Sequence, residues 1–167
     1  MKRRVFNQGL LFGVGLAGLP GVVMSQANSF ERLQKPAREW KGVVSPEAYH
    51  ILFEEGTERP WSSPLNEEKR KGTFLCAACF LPLFSSDTKY DSGTGWPSFY
   101  AAIDEHVGTK KDFKLIIPRT EYHCARCGGH QGHVFNDGPK PTGKRYCNNG
   151  LALRFVPEGE VLPELRS

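Results

Sequence analysis

The chain has no block of like charges beyond its first residues and the short Lys69-Arg70-Lys71 run. It has no internal repeat apart from a recurring Cys-x-x-Cys, and no unbroken apolar run as long as a bilayer span. Each absence removes a class. The formal net charge is +4, but Lys2, Arg3 and Arg4 supply three of those charges within a first 27 residues that contain no acid. The remaining body is close to neutral, so charge gives no reason to expect a nucleic-acid partner. The 69–71 run reads as a solvated turn. The missing repeat excludes solenoid and propeller architectures.

The apolar stretch from Gly9 to Met24 covers 16 residues and is interrupted by Gly13, Gly15, Gly18, Pro20 and Gly21. That is short against the ~20 residues a spanning helix needs. A basic start, this stretch and then Ser25-Gln26-Ala27 have the layout of a secretory signal cleaved after Ala27, with a retained anchor as the alternative. Arg3-Arg4-Val5-Phe6 resembles a twin-arginine signal, which exports proteins already folded. Folding first would protect thiols from an oxidising compartment. The expectation is an exported, periplasmic bacterial protein with no stable membrane insertion after cleavage. Its parts are a signal over 1–27, a linker and lead-in over 28–44, a domain over 45–157 and a tail over 158–167.

What is present is ordinary for a soluble domain: 39% apolar and 24% charged residues in 167, with 18 glycines and 12 prolines that imply many turns. One helix is clear over 45–55. Ser45 is placed to cap it, Pro46 suits the first helical position and Glu47 the positive end of the dipole. Gly56 is expected to end it, and Tyr49, Leu52 and Phe53 share its inner face. From Thr73 onward short β-rich runs alternate with Gly and Pro clusters, at 74–75, 113–117, 121–122, 133–135, 145–147 and 151–156. The expected class is mainly β, with antiparallel sheets and one or two N-terminal helices.

There are five cysteines. Four form two Cys-x-x-Cys pairs, Cys76/Cys79 and Cys124/Cys127, each just after a β-rich run. One such pair alone is compatible with redox chemistry, and two are compatible with two disulfides. Two pairs at knuckle spacing together supply four thiolates, the donor set of a closed tetrahedral zinc site. One structural Zn2+ per chain is therefore expected, with no position open to water.

Cys147 is left over, in Arg145-Tyr146-Cys147-Asn148-Asn149. A lone cysteine is often a buried inert thiol, but the guanidinium of Arg145 nearby favours thiolate. Two other stretches could surround it: Gly95-Trp96-Pro97-Ser98-Phe99, and the run from His130 through Gln131, Gly132, His133, Val134, Phe135, Asn136 and Asp137 to Pro139. The histidines have a spacing also found in metal ligands, though no acidic third ligand accompanies them. Trp96 taken alone would be core.

Taken together, from about Ser45 to Val156, these stretches resemble the methionine-R-sulfoxide reductase family, B type. The resemblance includes both cysteine pairs, Phe84-Ser85-Ser86-Asp87, the run from Tyr90 to Phe99, Arg119-Thr120-Glu121, the His130–Pro139 run and Arg145-Tyr146-Cys147-x-Asn149. It implies a two-sheet β fold, a structural zinc far from the reaction site, and Cys147 as nucleophile toward oxidised methionine in proteins or peptides. The chemistry fits: a thiolate attacks the sulfoxide sulfur, and the oxygen leaves only once protonated. His130 and His133 suit that proton transfer near neutral pH, and Asn149 could hydrogen-bond the same region. Asp137 would hold Arg145 in place. Trp96, with Phe135, would form an apolar wall for the substrate methyl group and select one epimer.

The chain departs from the family at three places. Thr94 stands where many members carry a resolving cysteine just before Gly-Trp-Pro-Ser-Phe. The sulfenic acid on Cys147 would then need an external thiol, a thioredoxin-like protein or a small thiol, unless a metal-ligand cysteine leaves its site. Gln131 and Asn148 are polar where apolar residues are usual, which suggests altered substrate affinity. Residues 104–112 fit poorly and read as a loop that shapes docking.

Overall fold

In a computed structural model, residues 30–113 and 118–167 are described. The proposed signal over 1–27, and Lys114 to Ile117 of the expected 113–117 strand, lie outside the described residues.

The helix α1 spans Pro46–Glu54, and the Ser45 hydroxyl accepts from the Ala48 amide at 3.1 Å, as the capping pattern requires. Its end differs from expectation. Glu55, not Gly56, takes the left-handed conformation at φ 53°. Gly56 is needed for space instead: its N–H reaches the His50 carbonyl at 3.0 Å, and a Cβ there would lie 2.5 Å from the His50 ring. Ala48, Ile51 and Leu52 are buried, while Tyr49 and Phe53 are partly buried against the same core.

The strands are β1 (Gly72–Cys76), β2 (Pro82–Ser85), β3 (Lys89–Tyr90), β4 (Ser98–Phe99), β5 (Val107–Asp112), β6 (Arg119–Cys124), β7 (His130–Phe135), β8 (Arg145–Asn148) and β9 (Leu153–Pro157). They form two antiparallel sheets. One has the order β2-β1-β9; the other runs β3-β4-β8-β7-β6-β5. The class is mainly β, with one α-helix and short 3-10 turns among the described residues. Between the sheets lies an aromatic core: Phe84 stacks on Phe99 at 4.2 Å between ring centroids, and Phe74 meets Phe99 edge-on at 4.9 Å.

Several expectations are corrected. The 104–112 stretch is not a loop throughout, because Val107–Asp112 is the edge strand β5, in full register with β6. Its sequence Val-Gly-Thr-Lys-Lys-Asp has no apolar alternation, since its central residues are exposed. Phe113 follows it as a 73% exposed residue outside any strand. The lead-in is not a free linker: Trp40 is fully buried and stacks on Phe53 at 5.6 Å. The tail is anchored as well. The Arg166 amide donates to the Cys79 carbonyl at 3.0 Å, and Arg126 Nη1 donates to the Arg166 carbonyl at 2.6 Å. Residues 151–156 divide into a 3-10 turn, Gly150–Ala152, and β9.

Candidate active site and metal cluster

The two Cys-x-x-Cys segments fold into the same backbone device. In the first, Phe80 N–H returns to the Cys76 carbonyl at 3.0 Å, and Cys76 N–H reaches the Leu81 carbonyl at 2.8 Å. In the second, Gly128 N–H returns to the Cys124 carbonyl and Cys124 N–H reaches the Gly129 carbonyl, both at 2.9 Å. The residue after each second cysteine is left-handed, Phe80 at φ 63° and Gly128 at φ 75°. Glycine adopts that conformation freely; Phe80 holds it under the guanidiniums of Arg166 and Arg154, 4.0 and 5.0 Å from its ring.

These knuckles face one another. The four sulfurs lie within 4.8 Å of each other, with Cys76–Cys127 at 3.6 Å and Cys79–Cys124 at 3.5 Å. Those separations are far beyond a disulfide bond of about 2.05 Å. They match the roughly 3.8 Å edge of a tetrahedron with metal–sulfur bonds of about 2.3 Å. The donor set and its spacing therefore fit a metal ion held by protein alone, and all four cysteines are free thiols.

Cys147 sits elsewhere, on β8 in the large sheet. Its neighbours across the ladder are Ser98 on β4 and His133 on β7. Directly opposed residues share a face of a sheet, so the pairing itself puts the imidazole beside the thiol. Together they border a cavity of about 270 Å3 whose lining includes Thr57, Thr94, Trp96, Arg119, Phe135, Arg145 and Asn149. Of the residues singled out from sequence, Cys147, His133, Asn149, Trp96, Phe135, Arg145, Thr94 and Asn148 border this cavity. Its wall requires close backbone approach: a Cβ on Gly132 would meet the Cys147 carbonyl oxygen.

Arg145 is fixed by a two-point pair with Asp137, Nε to Oδ1 at 2.9 Å and Nη2 to Oδ2 at 2.8 Å, and lies 4.3 Å from the Phe135 ring. Asp137, 60% exposed, thus acts from outside the cavity, and the guanidinium beside it holds its carboxyl below the usual range. Burial pushes the Cys147 thiol up; the charge of Arg145 and a hydrogen bond from Thr94 pull it back without cancelling that effect. The ionising influence expected of Arg145 is present, but burial outweighs it.

The histidines divide. His133 Nε2 donates to Asp112 Oδ2 at 2.7 Å, and Arg119 Nη2 reaches the same oxygen at 2.7 Å. His130 is not part of the cavity lining. It is 3% exposed, with its ring 5.5 Å from that of His133 and its Nδ1 3.2 Å from Glu121 Oε1. Burial lowers its pKa more than Glu121 raises it, favouring neutral imidazole. Asn149 is largely committed to backbone: its Oδ1 accepts from Glu58 N–H at 3.1 Å and its Nδ2 donates to the Gln131 carbonyl at 3.0 Å.

Sequence reasoning passed over Asp112, Arg119, Thr57 and Glu58. Asp112 fell in the stretch read as a loop, and Arg119 was noted only as part of a resemblance. Glu58 gives a legible signal only in space. Its carboxylate accepts from Gly150 N–H and Leu151 N–H, and its carbonyl accepts from Trp96 Nε1 at 3.2 Å. One buried residue thus ties the Trp96 wall to the turn after Cys147.

A two-sheet β fold with a four-thiol centre and one separate thiol set against an imidazole in an open cavity fits an oxidoreductase that works through a thiol. Comparison with known proteins agrees. The SelR domain matches residues 44–157. Peptide methionine sulfoxide reductase MsrB of Methanosarcina barkeri is 54% identical over 129 residues, covering 77% of this chain and 91% of that protein. Proteins of the same name from Leptospira interrogans and Pseudomonas putida are 51% identical over 127 residues and 48% over 128 residues, covering 75% and 76% of this chain and 97% and 96% of theirs. The chain belongs to the SelR-domain family of MsrB-type peptide methionine sulfoxide reductases.

Proposed function

We propose that the protein reduces the R epimer of methionine sulfoxide in proteins or peptides, with Cys147 as nucleophile. The observation that carries this reading is the direct cross-strand pairing of Cys147 with His133 at a cavity walled by Trp96 and Phe135. The methyl-bearing end of the substrate fits against the aromatic wall, and the sulfoxide oxygen is turned toward the polar side. The Cys147 thiolate attacks sulfur, and His133 delivers a proton to the oxygen. With a second proton from solvent the S–O bond breaks and water leaves, so that Cys147 Sγ is bonded to a sulfonium sulfur. Water then attacks Cys147 Sγ, this S–S bond breaks with its electron pair going to the substrate sulfur, and a proton is released. With His133 Nε2 held by the Asp112 carboxylate, Nδ1 is the atom from which the first proton is given. His130, behind it, acts through packing rather than by contact. The products are methionine and a sulfenic acid on Cys147.

The sulfenic acid takes two electrons from an external thiol. The first thiol displaces hydroxide as water to form a mixed disulfide, and a second releases Cys147. Thr94 supplies a hydroxyl where an internal thiol would be needed, and the other cysteines are engaged with one another. A thioredoxin-like protein or a small thiol is the reductant class. The four-cysteine cluster holds zinc in a purely structural role, because all four donors come from the chain. The basic, apolar and small-residue layout of 1–27 supports export to the periplasm by the twin-arginine route.

The test is turnover of chromophore-labelled R and S methionine sulfoxides, followed by intact mass of enzyme oxidised by substrate without reductant. Turnover of R only, abolished in Cys147→Ser, and a gain of one oxygen are expected. Turnover of S alone, or full activity in Cys147→Ser, defeats the assignment. A loss of two hydrogens would show an internal disulfide and defeat the external-thiol step.

A further inference from the structure

At the cavity floor, β7 and β8 carry two fully buried amides, Gln131 and Asn148, each with 0% exposure; Asn148 borders the cavity and Gln131 does not. The ladder between β6 and β7 shifts register here. Tyr122 faces Gly132 and His123 faces His130, so Gln131 is the extra residue of a bulge. The Gln131 side chain does not reach the substrate cavity, contrary to the expectation of altered substrate affinity; it points toward the cysteine cluster.

The orientation of each amide follows from its neighbours. The Asn149 carbonyl can only accept, so the atom of Asn148 facing it at 2.7 Å is Nδ2. Asn148 Oδ1 then accepts from the Tyr122 hydroxyl at 2.5 Å. The other Nδ2 hydrogen points toward Gln131 Oε1 at 3.4 Å, which turns Gln131 Nε2 toward Cys76 Sγ at 3.6 Å. Every donor points the same way, from Tyr122 to Asn148 to Gln131 to sulfur. Such a chain strengthens toward its final acceptor, and an anionic sulfur is the acceptor that gains most. Four thiolates carry more negative charge than one divalent ion neutralises, so an N–H aimed at one of them stabilises the cluster.

We propose that Gln131 is an outer hydrogen-bond donor to the Cys76 ligand, with Asn148 as its positioning partner. This one-way relay joins the metal centre to the strand that carries Cys147. The inference rests on reading the four cysteines as metal ligands, and goes beyond it by assigning two residues outside the cluster to its upkeep.

The full chain loaded with Co2+ tests it, using Gln131→Leu, Asn148→Val and the double variant. Three quantities are read: melting temperature, rate of metal release to a chromogenic chelator, and position of the thiolate-to-cobalt charge-transfer band. Each single variant leaves a buried amide partly unpaired, so the double variant should lose less stability than the two singles together. Metal release should stay about tenfold faster in both Gln131→Leu and the double variant, with the band displaced in both. Additive stability losses would overturn the pairing. A double variant with wild-type release and band would show that packing alone is at stake and overturn the donor role. A wild-type chain that takes up no Co2+ or Zn2+ overturns the metal reading itself, a separate outcome.

Discussion

Five thiols in one small domain occupy two opposite environments. At the cluster, four sulfurs lie 3.5–3.6 Å apart in pairs, on two copies of one backbone turn, with three of the cysteines buried and Cys127 half-buried. At Cys147 a single sulfur faces about 270 Å3 of open space, with Arg145 and Thr94 favouring its thiolate. The contrast teaches that cysteine chemistry is decided by what completes the coordination of sulfur. A sulfur surrounded by other sulfurs is tied up holding the fold, and one left facing solvent can react.

The sharpest way to break this contrast is to exchange oxygen for sulfur at each place. Cys124→Ser should abolish stoichiometric metal in the purified protein and lower the melting temperature by roughly 10 °C or more. Cys147→Ser should leave the melting temperature within about 3 °C and remove activity altogether. If both variants behaved alike, the two environments would not be functionally distinct. The next largest effect separates the histidines. His133→Ala should cut kcat/KM by roughly a hundredfold or more, as loss of a proton donor does, while His130→Ala should cost about tenfold and show mainly in stability. A larger loss from His130→Ala would put the proton donor on the other ring.

These expectations also show how far the sequence could be read. The cysteine pairs, the capped helix and the Cys147 neighbourhood were legible, because spacing and residue type carry them. Strand β5 was not: three of its six residues are exposed, so apolar alternation is missing and only its pairing with β6 makes it a strand. Asp112 at its end was lost with it, and so was the carboxylate that positions His133. Gln131 was misplaced for a related reason. A bulge shifts side-chain direction, and nothing in the local sequence marks the register slip. Long-range partners such as Glu58, more than ninety positions from Gly150, leave no periodic trace at all.

A subtler effect lies in ionisation. Burial raises the Cys147 pKa, so the thiolate fraction grows with pH and alkylation by iodoacetamide should climb about tenfold per pH unit until that pKa is passed. A raised thiol pKa contributes stability below the unfolded value, and that contribution fades as pH rises through the folded one. Arg145→Met should move the alkylation curve to higher pH, because it removes the main opposing charge. A curve that stays in place would assign Arg145 to substrate contact only. The smallest expected change is Asp112→Asn, which keeps a hydrogen-bond acceptor for His133 but removes its charge. A loss of about threefold to tenfold in kcat/KM is expected from steady-state kinetics.

The matching knuckles have a consequence for the order of assembly. The first belongs to the β1–β2 hairpin and the second to the β6–β7 hairpin, so each half of the metal site closes through contacts near in sequence. Pairing of β9 with β1, by contrast, joins residues some eighty positions apart and must await loop closure. Two hairpins that each present two thiolates give a metal ion something to bridge before the distant strands have met. Ion capture at that stage would shorten the remaining search, leaving β9 to join a chain already gathered at its middle.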